Sequence, residues 1–557
     1  MTTWRSYPRD TTLRVLLDAA EKHGDQLFVD VNGRSLTYGE FASEVHRLAR
    51  GLAERGVQKG DTVATMLDNN AEALVAWFAI NAVGAIQVPV NTALRGAFLQ
   101  HVLDDSDARL VIAEGRYTKR LPRGLEVIRR GPAEAADEGL KVTPLDDVYA
   151  DDDAPLGFEP SPSDLSVLYY TAGTTGPSKG CMVSHNFVCH LARESLKTTG
   201  RTAAEHQWTA LPLFHMNAPV MTGLATMTIG GSATVEGRFS VSGFWSSIER
   251  SGASVVILLG SMAHLIATMD DNDAMERTRG QIRVVWALPF APSDIEVWKR
   301  RFGVQLAGSP GYGQTETGYL VSTSLDDPGP PGASGRRNEF FDVIVVDDDD
   351  QEVPVGTPGE VVARPRTADI MFSGYWKRPE ATVAAWRNLW YHTGDIGRFD
   401  EDGWFYFVDR KKDYLRRRGE NISSVEMEAA ICQHPDVEEA AVFAVPSEVT
   451  EDDVKVVVTL RPGSTLTEEE LCRWTFDKVP YFAVPRYVEI RDELPKNEVG
   501  RVLKRELRDA PDARACWDRE AVGIAVPRDA DAQSADGIGG DGGERPVGRD
   551  AQESVDG

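Results

Sequence analysis

The chain is 557 residues long and carries 60 basic against 86 acidic side chains, a formal net charge of −26 at pH 7. That length exceeds what one hydrophobic core usually serves, so a large multilobed body plus at least one smaller domain is expected. A surface this acidic repels phosphate backbones and anionic lipid, which excludes nucleic acid and the membrane surface as main partners.

The first segment, MTTWRSYPRDTTLRVLLDAAEKHGD, mixes charges with a short apolar run and reads as an amphipathic helix rather than a signal peptide. Five cysteines (Cys181, Cys189, Cys432, Cys472, Cys516) form no C-x-x-C pair and are too few for a disulfide scaffold, so they read as reduced thiols in a cytoplasmic protein. Next come a helical pattern, GEFASEVHRLARGLAERG, and a strand pattern, DTVATML. Ala73 to Leu94 contains no charge and approaches membrane-spanning length. Asn81, Gly84, Gln87, Pro89 and Asn91 interrupt it, however, so it reads as a buried helix, a turn and the strand AIQVPV. With ARLVIAE after it, the alternation of helices and β-branched runs is that of parallel strands with crossover helices, an α/β fold.

Two further runs, ASVVILLG (253–260) and IRVVWALP (282–289), read as buried strands of the same fold. Both end in small residues, where open α/β sheets bind ligands. From Asp342 the texture changes to DVIVVDDDDQEVPVGTPGEVVARP, two β runs joined by an acidic turn, which predicts a β-rich antiparallel lobe. The acidic run Asp347 to Asp350 reads as a solvated hairpin tip rather than a metal site, because adjacent carboxylates on a turn diverge and repel. A new α/β unit then follows, with helix patterns VEMEAAICQHP and TEEELCRWTFDKVP and strand patterns EEAAVFAVP, DVKVVVTLRPG and RYVEIRDELP. These patterns divide the chain into a large N-terminal domain (1–409), a small C-terminal α/β domain (410–509) and an acidic tail (510–557). The tail is rich in Gly, Asp and Ala without apolar periodicity, and is expected to be disordered and to carry no catalytic part.

Chemistry concentrates in five segments. In YYTAGTTGPSKGCMVSH (169–185), glycines free backbone N–H groups, hydroxyls add donors and a lysine adds charge, so the loop suits a polyphosphate although it lacks the Walker spacing. LPLFHMNA (211–218), GYGQTETG (311–318), YHTGDIGRFDEDGWFYFVDRKKDYLRRRGENISSVEMEAA (391–430) and PKNEVGRVLKREL (495–507) follow in order. The basic run RKKDYLRRR (410–418) falls at the domain junction, which favours a hinge and nucleotide contact over a localisation signal.

In this order the segments resemble the signatures of the adenylate-forming superfamily of acyl-CoA synthetases, luciferases and peptide-synthetase adenylation domains, from about residue 10 to 508. The resemblance implies that ATP binds through Thr171, Gly173, Thr174, Thr175, Gly176 and Lys179 at its phosphates. Gly311, Tyr312, Gly313 and Thr315 would lie along the nucleotide, with Tyr312 against adenine. Asp395 would accept the ribose hydroxyls, with Arg410 nearby. Glu316 would hold Mg²⁺ with Thr171 assisting, and His215 would gate an acid pocket built from Met216, Asn217, Gly260, Ser261, Ala287, Ser309, Pro310, Thr317, Gly318 and His215 itself. Lys412 would be the hinge about which the small domain rotates between adenylation and transfer. The loop 417–423 would then face the large domain in the second state, Gly419 allowing close approach of a thiol donor.

The chain departs from the pattern once: Arg501 stands where the superfamily places its adenylating lysine, flanked by Lys496 and Lys504. Lys179, Glu316, His215 and Arg501 are the catalytic candidates, with Arg501 keeping the charge but not the reach of an ammonium. The function so implied is an ATP-dependent, AMP-forming ligase, and its first reading is acyl-CoA synthesis from a small or aromatic carboxylate with CoA as co-substrate. A diazotase that adenylates nitrite and passes its nitrogen to an aryl amine is the second. A non-catalytic nucleotide-binding pseudo-ligase is the third, prompted by Arg501 and opposed by Lys179, Glu316 and Asp395. The sequence leaves the acid, the acceptor (CoA or an amine) and the oligomeric state open.

Overall fold

Local signals set the helices where the sequence places them. Thr11 accepts a hydrogen bond from the Arg14 N–H to start the helix Thr12–His23, and a reciprocal Thr37–Glu40 capping box starts Tyr38–Glu54. The charge-free stretch resolves into the helix Ala71–Ala82, the left-handed turn residue Gly84 (φ +84°) and the strand Ile86–Pro89. Its polar interruptions are satisfied inside the core: Asn81 donates to the Ser166 carbonyl at 2.9 Å and accepts from the Ser166 hydroxyl at 2.7 Å. No helix among the described residues is long and apolar enough to cross a membrane. This computed structural model describes residues 7–132, 139–173, 176–288, 290–410, 415–417, 420–447, 452–495, 502–508 and 515–527.

Among these residues two seven-stranded sheets build the large domain. One runs Lys141–Pro144, Glu126–Arg130, Leu110–Glu114, Thr62–Met66, Ile86–Pro89, Leu165–Gly173 and Gly176–Ser184. The other runs Leu306–Gly308, Val284–Leu288, Val255–Leu259, His206–Thr209, Ser232–Val235, Leu27–Val31 and Arg34–Thr37. Each is parallel except for its last pair, which is antiparallel. A third, antiparallel sheet contains Gly311–Gln314, Gly318–Ser322, Trp390–Phe399 and Trp404–Arg410, with the predicted β runs as Phe341–Val346 and Gly359–Pro365. The acidic run between them closes as a turn, Asp347 Oδ1 accepting from the Asp349 and Gln351 N–H groups at 2.9 Å each.

The small domain packs the helices Ser424–Ile431 and Glu468–Thr475 on a sheet of Val437–Pro446, Asp452–Leu460 and Tyr487–Arg491. One expectation is corrected here. Residues 515–527, assigned from composition to a disordered tail, are ordered: Trp517–Asp518 pairs antiparallel with Tyr487 and Val488 as a fourth strand. Arg519 and Ile524 are buried. Arg486 faces Asp453 (2.9 Å), Asp518 (3.2 Å) and Glu520 (3.4 Å), while buried Arg417 faces Asp453 (3.2 Å) and Glu520 (3.7 Å). The physical reason is that strand pairing, ion pairing and a few apolar contacts, of Trp517, Ile524 and Val526, hold this segment.

Candidate active site

A cleft of about 1870 Å³ opens where the three sheets of the large domain meet the small domain. The carboxyl ends of Val255–Leu259 and Val284–Leu288 deliver Leu258, Leu259 and Leu288 to it, the crevice position expected of open α/β sheets.

The polyphosphate-suited loop is the turn of the hairpin Leu165–Gly173 and Gly176–Ser184, in which Gly173 pairs with Gly176. Thr174 and Thr175 lie outside the described residues, as do Lys412 and Arg501. Thr171 and Lys179, which face each other in that ladder, both line the cleft. Thr171 Oγ1 donates to Glu316 Oε1 at 3.3 Å, and the Tyr375 hydroxyl donates to the same oxygen at 3.0 Å. Lys179 Nζ lies 4.9 Å from the centre of the Tyr375 ring. Burial pushes the Glu316 carboxyl above its ordinary range, against the lowering effect of these hydrogen bonds and Lys179. Burial and the neighbouring Glu316 raise the Tyr375 and Tyr391 phenols, so both remain donors.

Gly311–Gln314 and Gly318–Ser322 form a bulged hairpin that aims Glu316 into the cleft. Gly313 is required there, since a Cβ would meet the Gly318 carbonyl oxygen at 1.7 Å. Thr317 is buried beneath the turn and accepts from the Gln314 N–H at 3.1 Å, so it shapes the loop without lining the cleft. Next to Glu316, buried Asp395 accepts from the Tyr312 hydroxyl and from Gln314 Nε2, each at 2.8 Å. The Tyr312 ring packs 4.9 Å from Phe405, which fixes its plane. Gly311, Tyr312, Gly313 and Thr315 line the cleft, and Arg410 stands opposite Asp395 in the strand register.

His215 is carried by a turn pinned from below: the Leu213 N–H donates to Asn69 Oδ1 at 2.9 Å and Asn69 Nδ2 donates to the Leu211 carbonyl at 2.9 Å. Across the domain boundary its Nε2 lies 3.0 Å from both carboxylate oxygens of Glu420. The strand pair Leu415–Arg417 and Glu420–Ile422 holds Glu420 in place, and Glu426 accepts from the Ser178 N–H at 2.9 Å. Of the predicted acid pocket, His215, Met216, Asn217, Ser309 and Gly318 line the cleft. Ala287 and Pro310 lie one layer deeper, on a small separate cavity. Gly260 and Ser261 begin the helix Gly260–Thr268 and, like Thr317, line neither. The apolar walls that sequence reasoning missed are Leu258, Leu259, Met262, Leu288 and Phe290. It also missed Tyr375, Gln314 and Glu420.

Comparison with known proteins identifies the family and the fold. The profile of the AMP-binding enzyme family matches residues 16–376, and that of the AMP-binding enzyme C-terminal domain matches residues 426–501. A crotonobetaine/carnitine–CoA ligase of Salmonella paratyphi A is 28% identical over 512 residues, covering 88% of this chain and 97% of the relative. One of Escherichia coli O157:H7 is 29% identical, over 85% and 93%. Among solved structures, the amide bond synthetase McbA from Marinactinospora thermotolerans superposes with a TM-score of 0.76 at 25% identity, over 90% of this chain and 99% of that one. The chain belongs to the AMP-binding enzyme family. It is an AMP-forming ligase of the acyl-CoA synthetase-like branch.

Proposed function

We propose that this ligase joins a small carboxylic acid to CoA in two steps. In the first, a carboxylate oxygen attacks the α-phosphorus of ATP, the bond to the bridging oxygen breaks, and pyrophosphate leaves. In the second, the CoA sulfur attacks the acyl carbon, the bond to the AMP oxygen breaks, and the thiol proton passes to water. Because the first step brings two anions together, positioning and fixed positive charge supply most of the acceleration.

The Glu316 carboxylate beside the Thr171 hydroxyl, 3.3 Å apart in a cleft wall, is a hard-oxygen pair that suits Mg²⁺. Bound there, the ion would neutralise charge on the phosphate oxygens. Lys179 and the backbone N–H groups of its hairpin receive the phosphates, and Tyr375 keeps the Glu316 carboxylate oriented. Asp395, held by Tyr312 and Gln314, takes the ribose hydroxyls. Arg501 serves the first step in place of the superfamily lysine, and Lys412 is the hinge. The domain division at residues 409 and 509 belongs to this reading, with the ordered segment 515–527 added to the small domain.

The observation that carries the choice of a transferring ligase is the His215–Glu420 contact at 3.0 Å. It sets the small-domain loop against the acid side of the cleft, the arrangement needed to deliver an acceptor. The CoA ligases among the relatives support a thiol as that acceptor. The test is pyrophosphate release and product analysis across small carboxylates, with and without CoA. An acyl-CoA product is expected, and nitrite with an aryl amine should give no diazo product. Amide formation with amines, and no thioester from any acid, would retire the CoA assignment. Arg501→Ala should slow adenylate formation strongly while transfer from a preformed adenylate survives, and Arg501→Lys should keep or raise activity; equal loss of both steps would remove Arg501 from the first.

A further inference from the structure

Beneath the acid side of the cleft lies a small cavity of about 10 Å³. It shares Asn217, Leu258, Leu288 and Tyr319 with the cleft wall, and is completed by residues that include Trp286. Two residues of its lining each carry a buried polar atom with no hydrogen-bond partner among the described residues, of opposite kind: the acceptor Asn217 Oδ1 and the donor Trp286 Nε1. The Trp286 side chain is fixed, being 1% exposed on a central strand between Ile257 and Gly308. The Tyr319 hydroxyl points its proton at Met221 Sδ, 3.4 Å away, which leaves its oxygen an acceptor as well.

We propose that this notch is the polar terminus of the acid pocket and takes a single hydroxyl group at the end of the substrate remote from its carboxylate. A hydroxyl donates one hydrogen bond and accepts two, so it satisfies Asn217 and Trp286 together; a hydrogen, methyl or halogen at the same place satisfies neither. The size agrees, since about 10–15 Å³ is the space one oxygen-sized probe occupies. Leu258 and Leu288 cover the apolar stem between the two ends. The substrate class is therefore a small hydroxylated carboxylic acid, an assignment that rests on the ligase reading above.

The test measures kcat/KM for ATP-dependent pyrophosphate release with pairs of acids that differ only in one remote hydroxyl, such as 4-hydroxybenzoate and benzoate or 4-hydroxybutyrate and butyrate. The hydroxylated member of at least one pair should be preferred on the order of 100-fold, because a site built to bond a hydroxyl rejects the analogue lacking it. Trp286→Phe, which keeps a ring but removes the N–H, should cut that preference to below about tenfold, an effect on the scale of one lost hydrogen bond. If Trp286→Phe lowers the melting temperature markedly, Asn217→Leu makes the same test at a less buried position. Equal turnover of both members of every pair, the result expected if water fills the notch, overturns the proposal and leaves the ligase reading standing. So does a folded Trp286→Phe enzyme with undiminished preference. Absence of pyrophosphate release with every acid would instead sink the ligase reading itself, and this proposal with it.

Discussion

The site carboxylates of the large domain and the docked end of the small domain are held in different ways. In the large domain the site carboxylates are fixed by neutral donors: Glu316 by Thr171 and Tyr375, Asp395 by Tyr312 and Gln314. Buried histidines there are kept neutral, His185 against Thr12 and His190 against Tyr7. The small domain is tied instead by full charges, Arg417 and Arg486 against Asp453, Asp518 and Glu520. Neutral donors orient a carboxylate without cancelling its charge, which leaves it able to hold a cation or to accept from hydroxyl groups. Ion pairs from Arg417 and Arg486 knit the segment 515–527 to the rest of the small domain. The difference suits the separate roles in adenylation and transfer proposed for the two domains.

The largest effect that sharpens this contrast is at Glu316. Glu316→Gln should lower pyrophosphate release by about 10²–10³, the scale of removing one charge-stabilising group, while transfer from a supplied acyl-adenylate is kept. Near-normal release at saturating Mg²⁺ would falsify the metal role. Smaller than this, Asp395→Ala should weaken ATP binding by about 1–3 kcal/mol, because the ribose hydroxyls lose the acceptor proposed for them. Calorimetry of ATP binding at fixed salt measures it, and an unchanged affinity would detach Asp395 from the ribose. On the other side of the comparison, and smaller again, deleting residues 515–557 leaves Arg417 and Arg486 short of their Asp518 and Glu520 partners. The expected cost is about 1 kcal/mol, because the broken pairs are partly exposed and both arginines keep Asp453, seen as a lower melting temperature and a transfer step weakened more than adenylation. A chain ending at Pro527 should behave as the full protein. If both truncations melt alike, the docked segment is without weight and the original expectation of a dispensable tail stands.

The sequence was most legible where chemistry or periodicity is local. The helix Ala71–Ala82 and strand Ile86–Pro89 follow from polar and Gly/Pro breakers in an apolar run, and the strands Val255–Leu259 and Val284–Leu288 from their β-branched content. Thr171, Lys179, Glu316 and Asp395, drawn from separate segments, do line one cleft. Partners distant in the chain were not legible. Tyr375 reaches Glu316 across 59 positions without a local pattern, and Glu420 reaches His215 across 205 from a loop, 417–423, that the motif marks without naming its partner. Segment 515–527 was missed because composition averaged over 510–557 is dominated by Ala, Gly and Asp, whereas a short strand, ion pairs to Arg417 and Arg486 and the apolar contacts of Trp517 and Val526 suffice to dock it. Half of the predicted acid pocket fell behind the cleft wall for a related reason. Motif position names the loop, but the bulk of Leu258, Leu288 and Phe290 decides which atoms are left facing the substrate.

The remaining prediction sets the two domains against each other by pH. Burial lowers His185 to about 4 and His190 to about 3, so both stay neutral in the folded large domain under conditions where the unfolded chain binds a proton near pH 6.5. The unfolded state then binds more protons, and stability falls as pH drops below 6.5 until the folded values are reached. Each histidine should remove about 1 kcal/mol by pH 5.5, since one pH unit below the unfolded value is worth roughly 1.4 kcal/mol. In the small domain, Asp518 and Glu489 are held below the ordinary carboxylate range by Arg486 and by Lys455 with Arg491. Their contribution is full above the unfolded carboxylate values and is lost only as pH falls through the still lower folded ones. Between pH 6.5 and 5, amide exchange should therefore accelerate in peptides from 185–209 of the large domain while peptides from 452–460 of the small domain keep their protection. Substituting Gln at His190 should remove part of the acid sensitivity without changing that of the small domain. Simultaneous loss of protection in both would mean that the domains unfold as one unit and that their different ways of holding charge have no separate consequence for stability.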